Sequence, residues 1–160
     1  MLMSVKIPSD IPKLDNIDIF YTDKEIESKF GLKSEKSCDY YGHYQNCSWF
    51  LIESKSRGKI REALVQIDNT IKALIKYEKK VDFIFIVADK LDKMDSNAYS
   101  THEVSQLPFR LLVHKDTKKP VTDRRTGNVV YLIYRKTMNH VNQVFQQKSM
   151  EEFFKNGTIN

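Results

Sequence analysis

Cys47-Ser48-Trp49-Phe50-Leu51-Ile52-Glu53-Ser54-Lys55 decides the fold. Residues 47–52 form a nearly continuous apolar run that ends in two ionisable groups. Such continuity predicts a central strand covered on both faces, because a half-exposed strand would alternate. Ser56 or Gly58 then opens a helix over about 59–79, with Ile60, Leu64, Ile67, Ile71, Leu74 and Ile75 forming one apolar stripe. Val81 to Ala88 follows as a second buried strand. Strand, helix and strand over 47–88 predict a parallel pair joined by a right-handed crossover.

Working outward, Thr22-Asp23-Lys24-Glu25 is a capping box, with Tyr21 and Ile26 at the flanking hydrophobic positions. It predicts a short helix over about 23–31, ended by Gly31. Residues 1–20 are expected to be extended or irregular, with Pro8 and Pro12 as breakers. Lys36 to Tyr41 is a candidate strand, and Gly42 to Asn46 a turn leading into residues 47–52. After the second buried strand, Asp89 to Ser105 is expected as polar loop with a helical turn. Phe109 to His114 and Val129 to Arg135 are expected as strands joined by a basic loop. Residues 137–155 are expected as a helix with Val141, Val144, Phe145, Phe153 and Phe154 inward. The expectation is therefore one α/β domain over 1–160, its core at about 22–136 and its C-terminal helix at about 137–155, with a mixed central sheet flanked by helices.

Composition agrees with a globular chain. The 160 residues are 41% hydrophobic and 29% charged, a balance that supports one core without cross-links. The N-terminus lacks the sustained apolar core of a secretory signal, and the longest apolar run, Phe83 to Ala88, is too short to span a membrane. A cytoplasmic location is expected. Cys38 and Cys47 do not form a disulfide framework and are expected as free thiols. Net charge is +5, but residues 110–136 carry eight Lys or Arg against two acids, giving +6 there and −1 elsewhere. Such a local excess suits a polyanion or a solvated hairpin.

The chemistry concentrates on Asp39, Glu53 and Lys55. Strand alternation puts Glu53 and Lys55 on one face. An antiparallel partner strand would bring Asp39 beside them. Two carboxylates with the main-chain carbonyl of Ser54 make a hard-oxygen site suited to Mg2+ or Mn2+. The Lys55 ammonium could then orient or help deprotonate a water, or offset charge in the transition state of phosphodiester cleavage. An acid two residues before a lysine occurs four times in the chain, at 27–29, 53–55, 78–80 and 116–118. Only the second ends a buried strand, with an Asp one hairpin upstream and a long helix downstream. A zinc site from Cys38, His43, Cys47 and His102 lacks the paired spacing such sites use. A Cys–His nucleophile is equally weak, because Cys47 opens a strand expected to be buried. No Gly-rich phosphate loop is present.

Over about residues 22–88 this arrangement resembles the PD-(D/E)XK nuclease superfamily, and within it the archaeal Holliday-junction resolvase and RecB-like branch. The resemblance implies a restriction-endonuclease-like core and a Mg2+- or Mn2+-dependent endonuclease acting on DNA in preference to RNA. It implies Asp39 and Glu53 as metal ligands, Glu53 and Lys55 as the (D/E)XK motif, and a further metal contact from the first helix, Glu27 or Glu25. Gln66 matches the Gln that RecB-like members carry after the motif. Thr70 stands where those members have Tyr, Cys38 stands where the motif's Pro would be, and the four-cysteine iron–sulfur signature is absent. Arg57 and Lys59, near a helix N-terminus, and Lys118, Lys119, Arg124 and Arg125, in the basic loop, are the candidates for holding a nucleic-acid backbone. Cutting both strands of a duplex calls for two sites, which is compatible with a homodimer. The alternatives are a non-catalytic nucleic-acid-binding or interaction module on the same fold, and a protein-binding regulator.

Overall fold

The computed structural model describes residues 6–32, 37–45, 48–56, 59–104 and 107–147. Its strands are β1 (Ile17–Thr22), β2 (Tyr40–Tyr44), β3 (Ser48–Lys55), β4 (Phe83–Ala88), β5 (Tyr99–Glu103), β6 (Arg110–His114) and β7 (Val130–Tyr134). Its helices are α1 (Asp23–Lys29), α2 (Ile60–Lys76), α3 (Asp95–Ala98) and α4 (Met138–Gln147), the last preceded by a 3-10 turn at Arg135–Thr137. The strands form one sheet in the order β1-β2-β3-β4-β7-β6-β5. β3, β4 and β7 run parallel at its centre, and the pairs on either side are antiparallel. The protein is thus an α/β protein with a seven-stranded mixed sheet flanked by helices.

The parallel centre follows from the sequence. Phe50, Leu51 and Ile52 of β3 and Ile84 to Ala88 of β4 are all buried, so both faces of these strands are covered. One face packs Leu51, Ile84, Ile86 and Leu132 against α1 and α2, through Ile26, Ile60, Ile67, Ile71 and Leu74. The other packs Phe50, Ile52, Phe85 and Ile133 against Ile11, Leu14 and the α4 residues Val141 and Phe145. β3, α2 and β4 form the expected parallel crossover unit. Ile75 departs from the expected stripe: it is 48% exposed, because the buried face runs through Ala63, Thr70 and Leu74 instead.

The ends of the helices obey local rules. Thr22 N donates to the Glu25 carboxylate at 3.3 Å at the start of α1. Gly31 takes φ +71, and Leu32 N closes back on the Glu27 carbonyl at 3.1 Å. α2 ends the same way without a glycine: Glu78 adopts φ 58 and Lys79 N reaches the Leu74 carbonyl at 3.0 Å. The start of α2 is different. Its Ile60 N–H is capped from α3, distant in sequence, by Asp95 Oδ1 at 2.9 Å. Asp92 Oδ1 in turn accepts from Asp95 N at 2.8 Å.

Two expectations need correction, and two are sharpened. Residues 42–44 belong to β2, not to a turn. Gly42 lies flat over the Phe50 ring, where any Cβ would overlap it, so this glycine serves close packing rather than bending. Residues 1–20 are expected to be extended or irregular, and Ile17 to Phe20 take the extended form as part of β1, which pairs with β2 through a register shift between Ile17 and Ile19. β5 was expected as loop, because Tyr99-Ser100-Thr101-His102-Glu103 has no apolar pattern; it is an edge strand held by β6. β6 and β7 are strands where expected, and they pair only at Arg110–Leu132 and Leu111–Tyr131. Beyond that they splay, and the connecting loop fills the gap through bridges Val113–Pro120 and Thr122–Val129. The C-terminal helix is seen as α4 to Gln147; Phe153 and Phe154 lie outside the described residues.

Candidate functional site

Glu53 and Lys55 close β3, level with Ile86 and Ala88 of β4. They sit at the carboxyl ends of the parallel strands, where open α/β sheets place their ligands. Tyr40 pairs with Ile52, so Asp39, immediately before β2, falls opposite Glu53. Asp39 Oδ2 accepts from the Ser54 N–H at 2.7 Å. The Asp39 and Glu53 carboxyls stand within hydrogen-bonding reach of each other. The expected convergence therefore occurs, with Asp39 anchored by backbone.

Glu53 is 2% exposed, and its Oε2 has no hydrogen-bond partner. Burial, then the hydrogen bond and charge of Asp39, push its carboxyl up to about 10, against a smaller opposing pull from Lys55. At neutral pH the pair therefore holds a proton in place of a second negative charge. A cation could take that proton's place.

α2 supplies the wall. Gln66 is 8% exposed, and its Oε1 is also buried without a partner. Lys55 Nζ contacts Glu62 Oε1 at 3.3 Å. One helical turn from Glu62 to Gln66 spans roughly 6 Å, about the two-residue rise from Lys55 back to Glu53, which places Gln66 level with Glu53. Thr70 continues the line. It accepts from Cys38 N at 2.8 Å and donates to the Gln66 carbonyl at 2.7 Å, so it secures the chain just before Asp39. This role was not anticipated for Thr70.

Two carboxylates and a buried amide, with two orphaned oxygens between them, fit a hard cation that keeps several waters, as Mg2+ does. They do not make a zinc cage. Among the described residues no group of three or more His, Cys, Asp or Glu side chains is placed to hold a metal. Glu27 accepts instead from the Ser37 hydroxyl at 3.4 Å, and Glu25 is occupied at the Thr22 cap. Cys38 is fully buried, and that burial, reinforced by Glu53, pushes its thiol well up, which disfavours a thiolate. His43 lies in β2, with Nδ1 2.7 Å from Asp18 Oδ1. Tyr44 and Trp49 belong to packing: Tyr44 is buried, and Trp49 stacks on Tyr41 at 4.8 Å.

The basic candidates divide by position. Lys59 is exposed at the start of α2, beside the site; Arg57 lies outside the described residues. The loop with Lys118, Lys119, Arg124 and Arg125 enters β7 at Val130, level with Ile84, whereas Tyr134 is level with Ala88 and Lys55. It therefore starts roughly 13 Å back along the strands from the site. Arg124 and Arg125 both pair with Asp68 of α2, at 3.4 and 3.2 Å. Exposed Lys90 and Lys93, in the loop after β4, stand instead at the carboxyl end. Arg135, just beyond β7, also reaches the motif: its Nη2 donates to Ser54 Oγ at 2.7 Å. Its only sequence signal was membership of the basic segment.

Comparison with protein-family models, curated proteins and solved structures finds no match to this chain. Among the described residues no helix is long and apolar enough to cross a membrane.

Proposed function

We propose that this protein is a metal-dependent endonuclease that hydrolyses DNA phosphodiester bonds on a restriction-endonuclease-like core. The observation that carries this is the buried Glu53 carboxyl, with its orphaned oxygen, beside the half-buried Asp39 at the carboxyl end of the parallel strands. Burying the Glu53 carboxyl against a second, half-buried carboxylate is unfavourable, since an uncompensated buried ion costs several kcal/mol. Retention at such cost is typical of functional sites.

Asp39 and Glu53 would hold Mg2+ or Mn2+, and Gln66, level with Glu53 on α2, would lie beside the ion. When bound, the ion supplies Lewis-acid stabilisation of charge on the phosphate oxygens. Lys55, exchanging its contact with Glu62 for the substrate, would offset charge on the scissile phosphate or orient the attacking water. Lys59, Lys90 and Lys93 would take the flanking phosphates, because they surround that end of the sheet. The 115–128 loop would contact only a substrate long enough to pass the site.

The test is cleavage of supercoiled plasmid, single-stranded DNA and a four-way junction in Mg2+ and in Mn2+. Wild-type cutting that vanishes in chelator and in both Glu53→Ala and Lys55→Ala is expected. Cutting that survives Glu53→Ala would remove the catalytic assignment. Salt-sensitive DNA binding without any cutting would favour a non-catalytic nucleic-acid-binding module.

A further inference from the structure

We infer that Arg135 is a positioning residue for the Asp39–Glu53 pair, acting from the opposite face of the sheet; this rests on the metal-site proposal above. Alternation along β3 points Ser54 away from Glu53 and Lys55. On that face the Arg135 guanidinium gathers four partners. Nε donates to Asp89 Oδ1 at 2.9 Å and Nη1 to the Asp10 carbonyl at 3.0 Å. Nη2 donates to Ser54 Oγ at 2.7 Å and to the Lys55 carbonyl at 3.3 Å.

A guanidinium has five N–H donors, and four are committed here. Arg135 is therefore spoken for, and holding a substrate phosphate would mean giving up these bonds. What it holds is the peptide chain of the motif. Ser54 is gripped through its side chain by Arg135 and through its N–H by Asp39. The Lys55 carbonyl is held as well, so the Glu53–Ser54 peptide and the Lys55–Ser56 peptide are each pinned, one on either side of the motif's centre.

That restraint matters because two carboxylates facing each other repel once ionised. Without a brace, the end of β3 can turn and let Asp39 and Glu53 separate. Asp89 balances the charge of Arg135, so the brace adds little positive potential that would oppose a cation. The planar fork is essential. Lysine keeps the charge but cannot reach Ser54, Lys55, Asp89 and Asp10 from one fixed plane.

The experiment is Mn2+ titration of the full-length chain by calorimetry, with melting in chelator as the check on folding. Variants are Arg135→Lys, Ser54→Ala, their combination, and Glu53→Ala. Wild type should bind Mn2+ and Glu53→Ala should not. Arg135→Lys should bind ~10–100-fold more weakly, the usual effect of losing a group that orients metal ligands. Ser54→Ala should also bind more weakly, and the double variant should be no weaker than Arg135→Lys alone, because both break one linkage. A folded Arg135→Lys with wild-type affinity overturns the inference and leaves the metal site standing. If Arg135→Lys does not fold, Ser54→Ala decides in the same way. Wild type that fails to bind Mn2+, or Glu53→Ala that binds it equally, overturns the metal site and the inference together.

Discussion

Replacing Glu53 by Gln should stabilise the protein, and by an amount that depends on pH. The side chain keeps its shape, and its amide can donate to the Asp39 carboxylate. It no longer has a charge to lose. In the folded chain Glu53 is raised from an ordinary 4.5 to about 10, chiefly by burial. A raised carboxyl contributes stability that is fully present below pH 4.5 and is lost progressively as pH rises toward 10. Each unit within that window corresponds to about 1.4 kcal/mol. Wild type should thus lose about 3 kcal/mol between pH 4.5 and 7 through this group, and Glu53→Gln should not. The variant's gain should be near zero at pH 4.5 and about 3 kcal/mol at pH 7, or ~6–12 °C in melting temperature for a chain of this size. Urea unfolding in chelator at four pH values measures it. Mg2+ at a thousand times its Kd should then reverse the order, because it adds about 4.1 kcal/mol to wild type only. A variant less stable than wild type at pH 7, or a gain that does not grow with pH, would refute the placement of Glu53 as a buried, proton-holding group.

Three further outcomes are expected. Asp95→Ala removes the acceptor that caps α2 at Ile60, and should cost about 1–2 kcal/mol by denaturant unfolding, with Asp95→Asn closer to wild type because Oδ1 survives. Gly42→Ala places a Cβ into the Phe50 ring and should cost about 1–3 kcal/mol, detectable as a lower melting temperature. In DNA binding measured against salt, Lys90→Glu with Lys93→Glu should weaken binding and flatten the salt slope by ~2 contacts, whereas Lys118→Glu with Lys119→Glu should matter only for long duplexes.

The centre of this molecule was legible in its sequence because its determinants are local and redundant. β3, α2 and β4 each carry enough apolar residues to declare their type, and the hairpin spacing brings Asp39 opposite Glu53. The periphery was not legible. β5 is polar and becomes a strand only because β6 offers it hydrogen bonds. Gly42 has the identity of a turn residue but the job of a packing residue. Within the site, Thr70 and Arg135 escaped because each acts on residues 32 and 81 positions away. Charge counting showed the sign of the 115–128 loop. It could not show that Asp68 takes up two of its arginines, or that the loop enters the sheet at the end opposite Glu53 and Lys55.

The two outer strands carry a consequence for self-association. β5 presents Ser100, Thr101, His102 and Glu103 along one border, and β1 is kinked by its register shift on the other. Neither border offers a long, flat, apolar ladder on which a second copy could continue the hydrogen bonding. Two copies that joined would therefore meet through helices or loops, keeping each sheet separate. The distance between two such sites would then be set by side-chain packing rather than by the regular spacing of strands.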